Sequence, residues 1–131
     1  MNELGCSIAM LKRKPPIQSL GSEPDPRFSY ANERTFLAWN RTALALVAAG
    51  LAATSLLPPF NVPGGRRLIG VPLIVLGAVL AAASYRRWDA NERAMRLGQP
   101  LPPSHLGGIL AAGIALAALI AAIVALLGTE T

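Results

Sequence analysis

Residue types that carry enzyme chemistry are scarce in this sequence, which has one histidine and one cysteine among 131 residues. The single cysteine, Cys6, excludes an intramolecular disulfide and a metal site built from several cysteines. His105 stands alone beside the expected start of a helix, so we assign it a structural role. Phosphate-binding loops, dinucleotide-binding fingerprints and zinc-ligand spacings are also missing. We therefore expect a protein that is not an enzyme and that holds no metal or cofactor.

Charged and aromatic residues are also few. Charged residues make up 15% of the chain and aromatic residues 5%, against roughly 25% charged in an ordinary soluble domain. Hydrophobic residues make up 53% and lie in blocks, at residues 43–57, 68–83 and 106–127. A membrane-spanning helix needs about 20 mostly apolar residues. The sequence therefore predicts an all-α membrane protein with three transmembrane helices. A soluble bundle is disfavoured, because a surface helix needs a polar face and the second and third blocks have none.

The basic residues are distributed unevenly around these blocks. Of the twelve Lys and Arg residues, six precede the first block, four lie between the second and third, and only Arg66 and Arg67 separate the first two. Positive residues accumulate on the cytoplasmic side of membrane proteins. The pattern predicts a multi-pass membrane protein with a cytoplasmic N-terminus and an external C-terminus. The basic pI fits anionic lipid headgroups and, without any nucleic-acid motif, does not indicate nucleic-acid binding.

The chain divides into two predicted regions. Residues 1–27 are polar and proline-rich, and we predict a disordered cytosolic tail. Residues 28–128 form the predicted transmembrane domain. Its first helix is expected to start near Ser29, a plausible N-cap, to run as an amphipathic cytosolic segment into the first apolar block, and to end near Leu57, before two prolines.

The other two helices have recognisable ends. Pro72 is expected within the first turn of the second helix, where proline is tolerated. That helix is expected to continue past the membrane surface as far as Gly98, and Ser104 is expected to cap the third helix. Aromatic and basic residues near the cytosolic surface fit interface anchors. The predicted anchors are Trp39, Tyr85, Arg86, Arg87 and Trp88.

Small residues recur at helical spacing in all three apolar blocks. Such residues allow helix backbones to approach closely in lipid, so they fit tight packing within the chain, oligomerisation, or both; abundant alanine alone also accounts for them. They are Gly70, Gly77, Ala81 and Ser84 in the second helix, Ala45, Ala48, Ala49 and Ala52 in the first, and Gly108, Ala111, Ala112, Ala115 and Ala118 in the third.

One short sequence occurs twice. Ala-Asn-Glu-Arg is found at residues 31–34 and again at residues 90–93, each time beside an apolar block. The flanking residues differ, so we interpret the two copies as convergence and not as an internal repeat.

The segment that leads into the first apolar block carries unusual charge. Arg34 and Arg41 are seven residues apart and share nearly the same helix face, with Glu33 and Asn40 beside it. Arg41 directly precedes an uncharged run, and a charge inside a span usually faces a bundle interior, a partner or a wet cavity. Arg41 as a simple headgroup anchor is the alternative. A planar guanidinium suits phosphate, because it donates two hydrogen bonds at once.

The same segment carries a recognisable motif. Asn-Glu-Arg-Thr-Phe-Leu-Ala-Trp-Asn-Arg-Thr at residues 32–42 resembles the signature of the DUF202 family, which includes the bacterial YidH-like inner-membrane proteins. Tyr85, Trp88 and the Gly-Gln-Pro-Leu-Pro run at residues 98–102 are also similar to bacterial members. The resemblance covers residues 28–127 and implies three spans.

A related domain forms the membrane part of the eukaryotic vacuolar transporter chaperone complex, where charged residues on the first span line a path for polyphosphate. Carried across by the motif, the resemblance implies an anion-binding site at Glu33, Arg34 and Arg41. The catalytic and phosphate-sensing domains of that complex have no counterpart in these residues, so a conduit or scaffold is expected and not polymer synthesis.

Two functions follow as hypotheses. The first is a homo-oligomeric membrane subunit whose cytosolic-side arginines bind or conduct an anion, such as polyphosphate or an anionic lipid headgroup. The second is a non-catalytic scaffold that binds another membrane protein, with the arginines serving as lipid anchors. The two differ in where Arg34 and Arg41 point.

Overall fold

Three long helices make up most of the part of the chain that the structure describes. The computed structural model describes residues 14–128. Within that range the regular structure is entirely helical. Each of the three α-helices is long and apolar enough to cross a membrane, which confirms the predicted all-α architecture with three transmembrane helices. The elements are a 3₁₀ turn at Ile17–Ser19, α1 at Pro26–Leu56, α2 at Gly65–Arg96 and α3 at Leu106–Gly128.

Helix α2 is the centre of the structure and packs against both α1 and α3. The chain reverses direction at each connection, so α2 runs antiparallel to its two neighbours. Helices α1 and α2 have 31 and 32 residues, which corresponds to roughly 47 Å each, whereas the hydrocarbon core is about 30 Å thick. Their surplus length lies on one side, at residues 26–41 of α1 and 85–96 of α2. We call these two segments together the charged end.

Helix α1 begins at Pro26, ahead of the predicted start at Ser29. The Asp25 carboxylate accepts a hydrogen bond of 2.9 Å from the Arg27 amide, and proline occupies the first helical position. Both features favour a helix start, because the cap satisfies a free amide and proline lacks one. The Asp-Pro pair is therefore the start signal of this helix.

Proline 72 lies in the interior of α2, and the prediction that it falls in the first turn is wrong. The helix already begins at Gly65, preceded by Gly64 in the left-handed conformation with a φ of 76°. Pro72 cannot donate to the carbonyl of Leu68, four residues earlier. Transmembrane helices tolerate such a gap, because neighbouring groups and local adjustments satisfy the free carbonyl.

Glycines bring α1 and α2 into backbone contact in the apolar region. A Cβ atom on Gly70 would lie 2.5 Å from the Gly50 carbonyl oxygen, and one on Gly50 would lie 2.6 Å from the Gly70 oxygen. A Cβ on Gly77 would lie 2.7 Å from the Ala43 oxygen. The small face predicted for α2 is thus its packing face against α1, which agrees with close helix approach in lipid.

The small residues predicted on α3 lie elsewhere. They are exposed in the single chain, and α3 instead turns Gly113, Ala117 and Val124 toward α2. The core where all three helices meet is small and consists of Ala43, Leu80 and Leu106. Most large apolar side chains face outward, as expected for a surface that contacts lipid.

Candidate anion-binding sites at the charged end

An aromatic cluster marks the boundary between the apolar region and the charged end. The ring centroid of Phe36 lies 6.5 Å from that of Tyr85 and 6.1 Å from that of Trp88, and Tyr85 stacks on Trp88 at 6.0 Å. Trp39 packs against the buried core instead. Amphipathic rings of this kind concentrate at the membrane surface, so the charged end begins at about this level.

Just beyond the aromatic cluster, side-chain amides join α1 to α2. The Asn32 amide donates a hydrogen bond of 3.1 Å to the carbonyl of Trp88, and the Asn91 amide donates one of 3.1 Å to the Asn32 oxygen. Asn32 is buried, at 9% exposure. Asn32 and Asn91 are the second residues of the two Ala-Asn-Glu-Arg copies. The two copies therefore meet in space, and this contact gives the repeated sequence a physical role.

The two glutamates of the repeated sequence have opposite environments. Glu92 is buried, at 8% exposure. It accepts a hydrogen bond of 3.3 Å from the Ser29 hydroxyl and lies 3.7 Å from Nε of Arg96. Glu33 is exposed on α1. A buried carboxylate is stable only when it is paired and hydrogen-bonded, so Glu92 has a structural role that Glu33 lacks.

The segment that precedes α1 contacts the charged end of α2. Nη1 of Arg93 donates a hydrogen bond of 2.9 Å to the carbonyl of Pro15, and the Ser22 amide donates one of 3.2 Å to the carbonyl of Arg96. Asp89 pairs with Arg93 at 2.9 Å and with Lys14 at 3.9 Å. The predicted tail thus lies along α2 in its described part, from residue 14 onward, and residues 1–13 lie outside the described residues.

The three predicted anion-binding residues do not form a site within one chain. Glu33, Arg34 and Arg41 are all exposed. The two arginines lie on the face of α1 that points away from α2, and Glu33 lies about 100° from Arg34 around the helix. Within residues 14–128 none of them makes a hydrogen bond or an ion pair. The two arginines share a face, as predicted, at about 10 Å along the axis. Asn40, predicted beside them, instead faces Ser84 of α2.

The predicted anchors Arg86 and Arg87 occupy different surroundings although they are adjacent in sequence. Arg86 is exposed and lies near Lys14 and Asp89. Arg87 is half-buried and lines a cleft between α1 and α2. Successive residues of a helix are about 100° apart around its axis, which explains the divergence. The cleft depends on how α1 packs on α2, so no local sequence signal identifies it.

The described part of the chain contains no group of His, Cys, Asp and Glu residues arranged to hold a metal ion. At the charged end, arginine guanidinium groups outnumber carboxylates, and the carboxylates of Asp89 and Glu92 are already paired. Side-chain amides add neutral donors. These groups donate hydrogen bonds to oxygen anions, and arginine binds carboxylate or phosphate through two parallel bonds. Binding of an anion is therefore the chemistry that these residues offer.

Comparison with known proteins identifies relatives in bacteria. An uncharacterized protein of Mycobacterium tuberculosis is 46% identical over 99 residues, which cover 76% of this chain and 81% of that protein. The inner membrane protein YidH of Escherichia coli is 51% identical over 86 residues, which cover 66% of this chain and 75% of that protein. YidH of Shigella flexneri matches with the same identity and coverage. No solved structure matches the chain.

The family assignment rests on a direct match as well. The model of DUF202, a domain of unknown function, matches residues 27–94, which include α1, most of α2 and the aromatic cluster between them. Together with three membrane-spanning helices, this match makes the chain a member of the DUF202 family and a small multi-pass membrane protein.

Proposed function

We propose that this protein forms a homo-oligomer in the membrane, and that Arg34 and Arg41 of its copies together bind or conduct an anion such as polyphosphate. The proposed role is binding or conduction and not catalysis. The observation that carries the proposal is the position of the two arginines on the outward face of α1, without a partner within residues 14–128.

The surroundings of Arg41 support assembly with other copies. The side chains of Leu37 and Leu44, on either side of it, are 57% and 71% exposed. A charge at the centre of a span costs roughly 2.5–3.5 kcal/mol on insertion scales and less toward the edge. A neighbouring copy that covers this face removes Arg41 from lipid and brings several arginines around one axis. Rings of arginine select anions and phosphates.

The same proposal includes an orientation. We place the protein in the bacterial inner membrane, since its relative YidH is named an inner membrane protein, with the charged end and the N-terminus in the cytoplasm and the C-terminus outside. The excess of basic residues on that side supports the orientation. Cysteine labelling of the chain in cells tests it, and labelling of a cysteine at Asn91 from outside would overturn it.

Vesicles that contain the purified protein test the anion site. Replacing Arg34 and Arg41 together by Gln is expected to lower polyphosphate binding at least ~10-fold, because charge-assisted hydrogen bonds are lost. Replacing Arg66 and Arg67 by Gln removes the same charge at the other end of α2 and is expected to change little. Binding by the parent is expected to weaken with added salt. Equal binding by the first variant and the parent would end the proposal.

A scaffold for another membrane protein is the second candidate. The outward apolar side chains of α1 favour it, because a helix of a different protein can cover them just as a second copy of this chain can. Native mass spectrometry in mild detergents and nanodiscs separates the two. A homo-oligomer supports the anion site, whereas a monomer in every medium supports the scaffold.

A further inference from the structure

A cleft opens between α1 and α2 at the charged end, and its α1 lining residues lie on a different face of that helix from Arg34 and Arg41. Its volume is about 210 Å³. Pockets for drug-sized ligands hold about 300–1,000 Å³, so this cleft fits a group the size of a lipid headgroup and not a nucleotide or a polymer. Its lining residues are Phe28, Ala31, Asn32, Thr35, Arg87, Asn91, Met95 and Leu101.

Arg87 is the one ionised residue in this lining, and it lacks a partner. Its Nε atom is shielded from solvent without a hydrogen bond, and within residues 14–128 the side chain makes no ion pair. Buried polar groups are nearly always hydrogen-bonded, and an exception calls for an explanation. Nε of Arg66 and of Arg96 is likewise shielded without a hydrogen bond, so this feature alone does not single out Arg87. No carboxylate lines the cleft, and the Arg87 guanidinium therefore has no counter-charge there.

Amide and hydroxyl groups surround the guanidinium. Asn91 lies one helical turn beyond Arg87 on the same face of α2, and Thr35 faces both from α1. One Asn91 N–H is already bonded to Asn32, which fixes the amide and leaves its second N–H for a ligand. The Thr35 hydroxyl already donates to the Ala31 carbonyl at 3.0 Å, so amide N–H groups are the neutral donors that the cleft places beside one positive charge, an arrangement that suits a phosphate.

The rim of the cleft is apolar. Phe28 and Leu101 are 64% and 61% exposed, and Met95 lies between them in the lining. Arg87 is adjacent to Trp88 of the aromatic cluster, which lies at the level of lipid headgroups. Phe28 and Met95 lie farther from the apolar region than Arg87, so a lipid whose phosphate lies on Arg87 has its headgroup beside this rim and its acyl chains on the other side, toward the aromatic cluster.

We propose that this cleft binds the headgroup of an anionic phospholipid of the adjacent leaflet, with the lipid phosphate on the Arg87 guanidinium, the polar headgroup directed toward Met95 and Leu101, and the acyl chains directed past the aromatic cluster toward the apolar region. The site is separate from the anion path proposed for Arg34 and Arg41, because it lies on another face of α1 and is complete within one chain. The lipid site can therefore be tested independently of the proposed anion path.

The test compares variants of the full chain in nanodiscs of zwitterionic phosphatidylcholine, to which phosphatidylglycerol is added. Native mass spectrometry counts retained lipids and thermal melting reports stabilisation. Arg87→Gln is expected to lower affinity for phosphatidylglycerol at least ~10-fold, the loss of a charge-assisted bond. Arg87→Lys is expected to give an intermediate affinity for phosphatidylglycerol, because lysine keeps the positive charge but cannot donate two parallel hydrogen bonds as the guanidinium does. Arg27→Gln removes the same charge from an exposed residue outside the cleft lining and is expected to behave like the parent.

A second variant covers the case in which Arg87→Gln does not fold. Leu101→Glu places a carboxylate on the exposed rim and is expected to weaken lipid retention by like-charge repulsion, whereas Leu97→Glu, exposed but outside the cleft, is not. A parent without preference for phosphatidylglycerol would overturn the proposal. Binding of soluble glycerol phosphate that depends on Arg87, without any response to the lipid, would also overturn it. Equal lipid retention by Leu101→Glu and Leu97→Glu would do the same.

Discussion

The two ends of the α1–α2 contact are held together by different chemistry. In the apolar region Gly50 and Gly70 bring backbone against backbone. At the charged end Asn32, Asn91 and Glu92 join the helices through side-chain hydrogen bonds. Apolar surfaces gain little from association in lipid, so tight packing stabilises the first region. The second region adds specificity, because only particular partners satisfy buried amides and a carboxylate.

The largest expected effect lies in the glycine contact. Gly70→Ala places a methyl group against the carbonyl of Gly50. A backbone carbonyl cannot move aside by a change of rotamer, as a side chain can. We expect the free energy of unfolding to fall by about 3 kcal/mol, the upper range for overpacking. Denaturation in mixed micelles measures it. Gly108→Ala, where nothing lies within 4 Å, is the matched control, and equal destabilisation of the two variants would contradict the backbone contact.

The buried carboxylate gives a smaller effect that compares the two copies of the repeated sequence. Glu92→Gln removes the negative charge beside Arg96 and Ser29. We expect a loss of about 1–2 kcal/mol in the free energy of unfolding. Glu33→Gln makes the same change on an exposed surface and is expected to stay within about 0.5 kcal/mol of the parent. Similar losses of stability in Glu92→Gln and Glu33→Gln would mean that the charged end contributes no specific contact.

The smallest expected effect concerns the segment before α1. Asp89→Asn removes the carboxylate that pairs with Lys14 and Arg93, and partly exposed pairs contribute about 0.5 kcal/mol. Amide hydrogen exchange of Ser22, which is bonded to α2, is expected to become faster. Glu23→Gln, a neutralisation on an exposed residue nearby, is the control. Unchanged exchange in Asp89→Asn would mean that the segment is held by its backbone bonds alone.

The architecture was predictable because lipid imposes simple rules on sequence. Uncharged blocks of sufficient length mark spans, and the structure has a helix at each block. Local chemistry also determines the start of α1, although the Asp25-Pro26 pair, and not Ser29, supplies the signal. Pro72 falls in the helix interior because α2 begins at Gly65, three residues ahead of the apolar block that starts at residue 68.

The candidate sites were predictable only in part, because helix periodicity gives faces but not neighbours. It correctly places Arg34 and Arg41 on one face of α1, yet it does not say whether that face meets another helix. The cleft at Arg87 was missed since it exists only where α1 covers α2. The repeated Ala-Asn-Glu-Arg sequence was the available signal, because Asn32 and Asn91 meet beside that cleft.

The combination of glycine contacts and amide bonds along one helix pair has a mechanical consequence. A slide of α1 past α2 by one helical turn, about 5.4 Å, would drive side chains into the backbone contact at Gly50 and Gly70 and would separate Asn32 from Asn91 at the same time. We therefore expect α1 and α2 to move together as one rigid unit and not to slide along each other. Helix α3, which touches α2 over fewer residues than α1 does, is the element with more room to move.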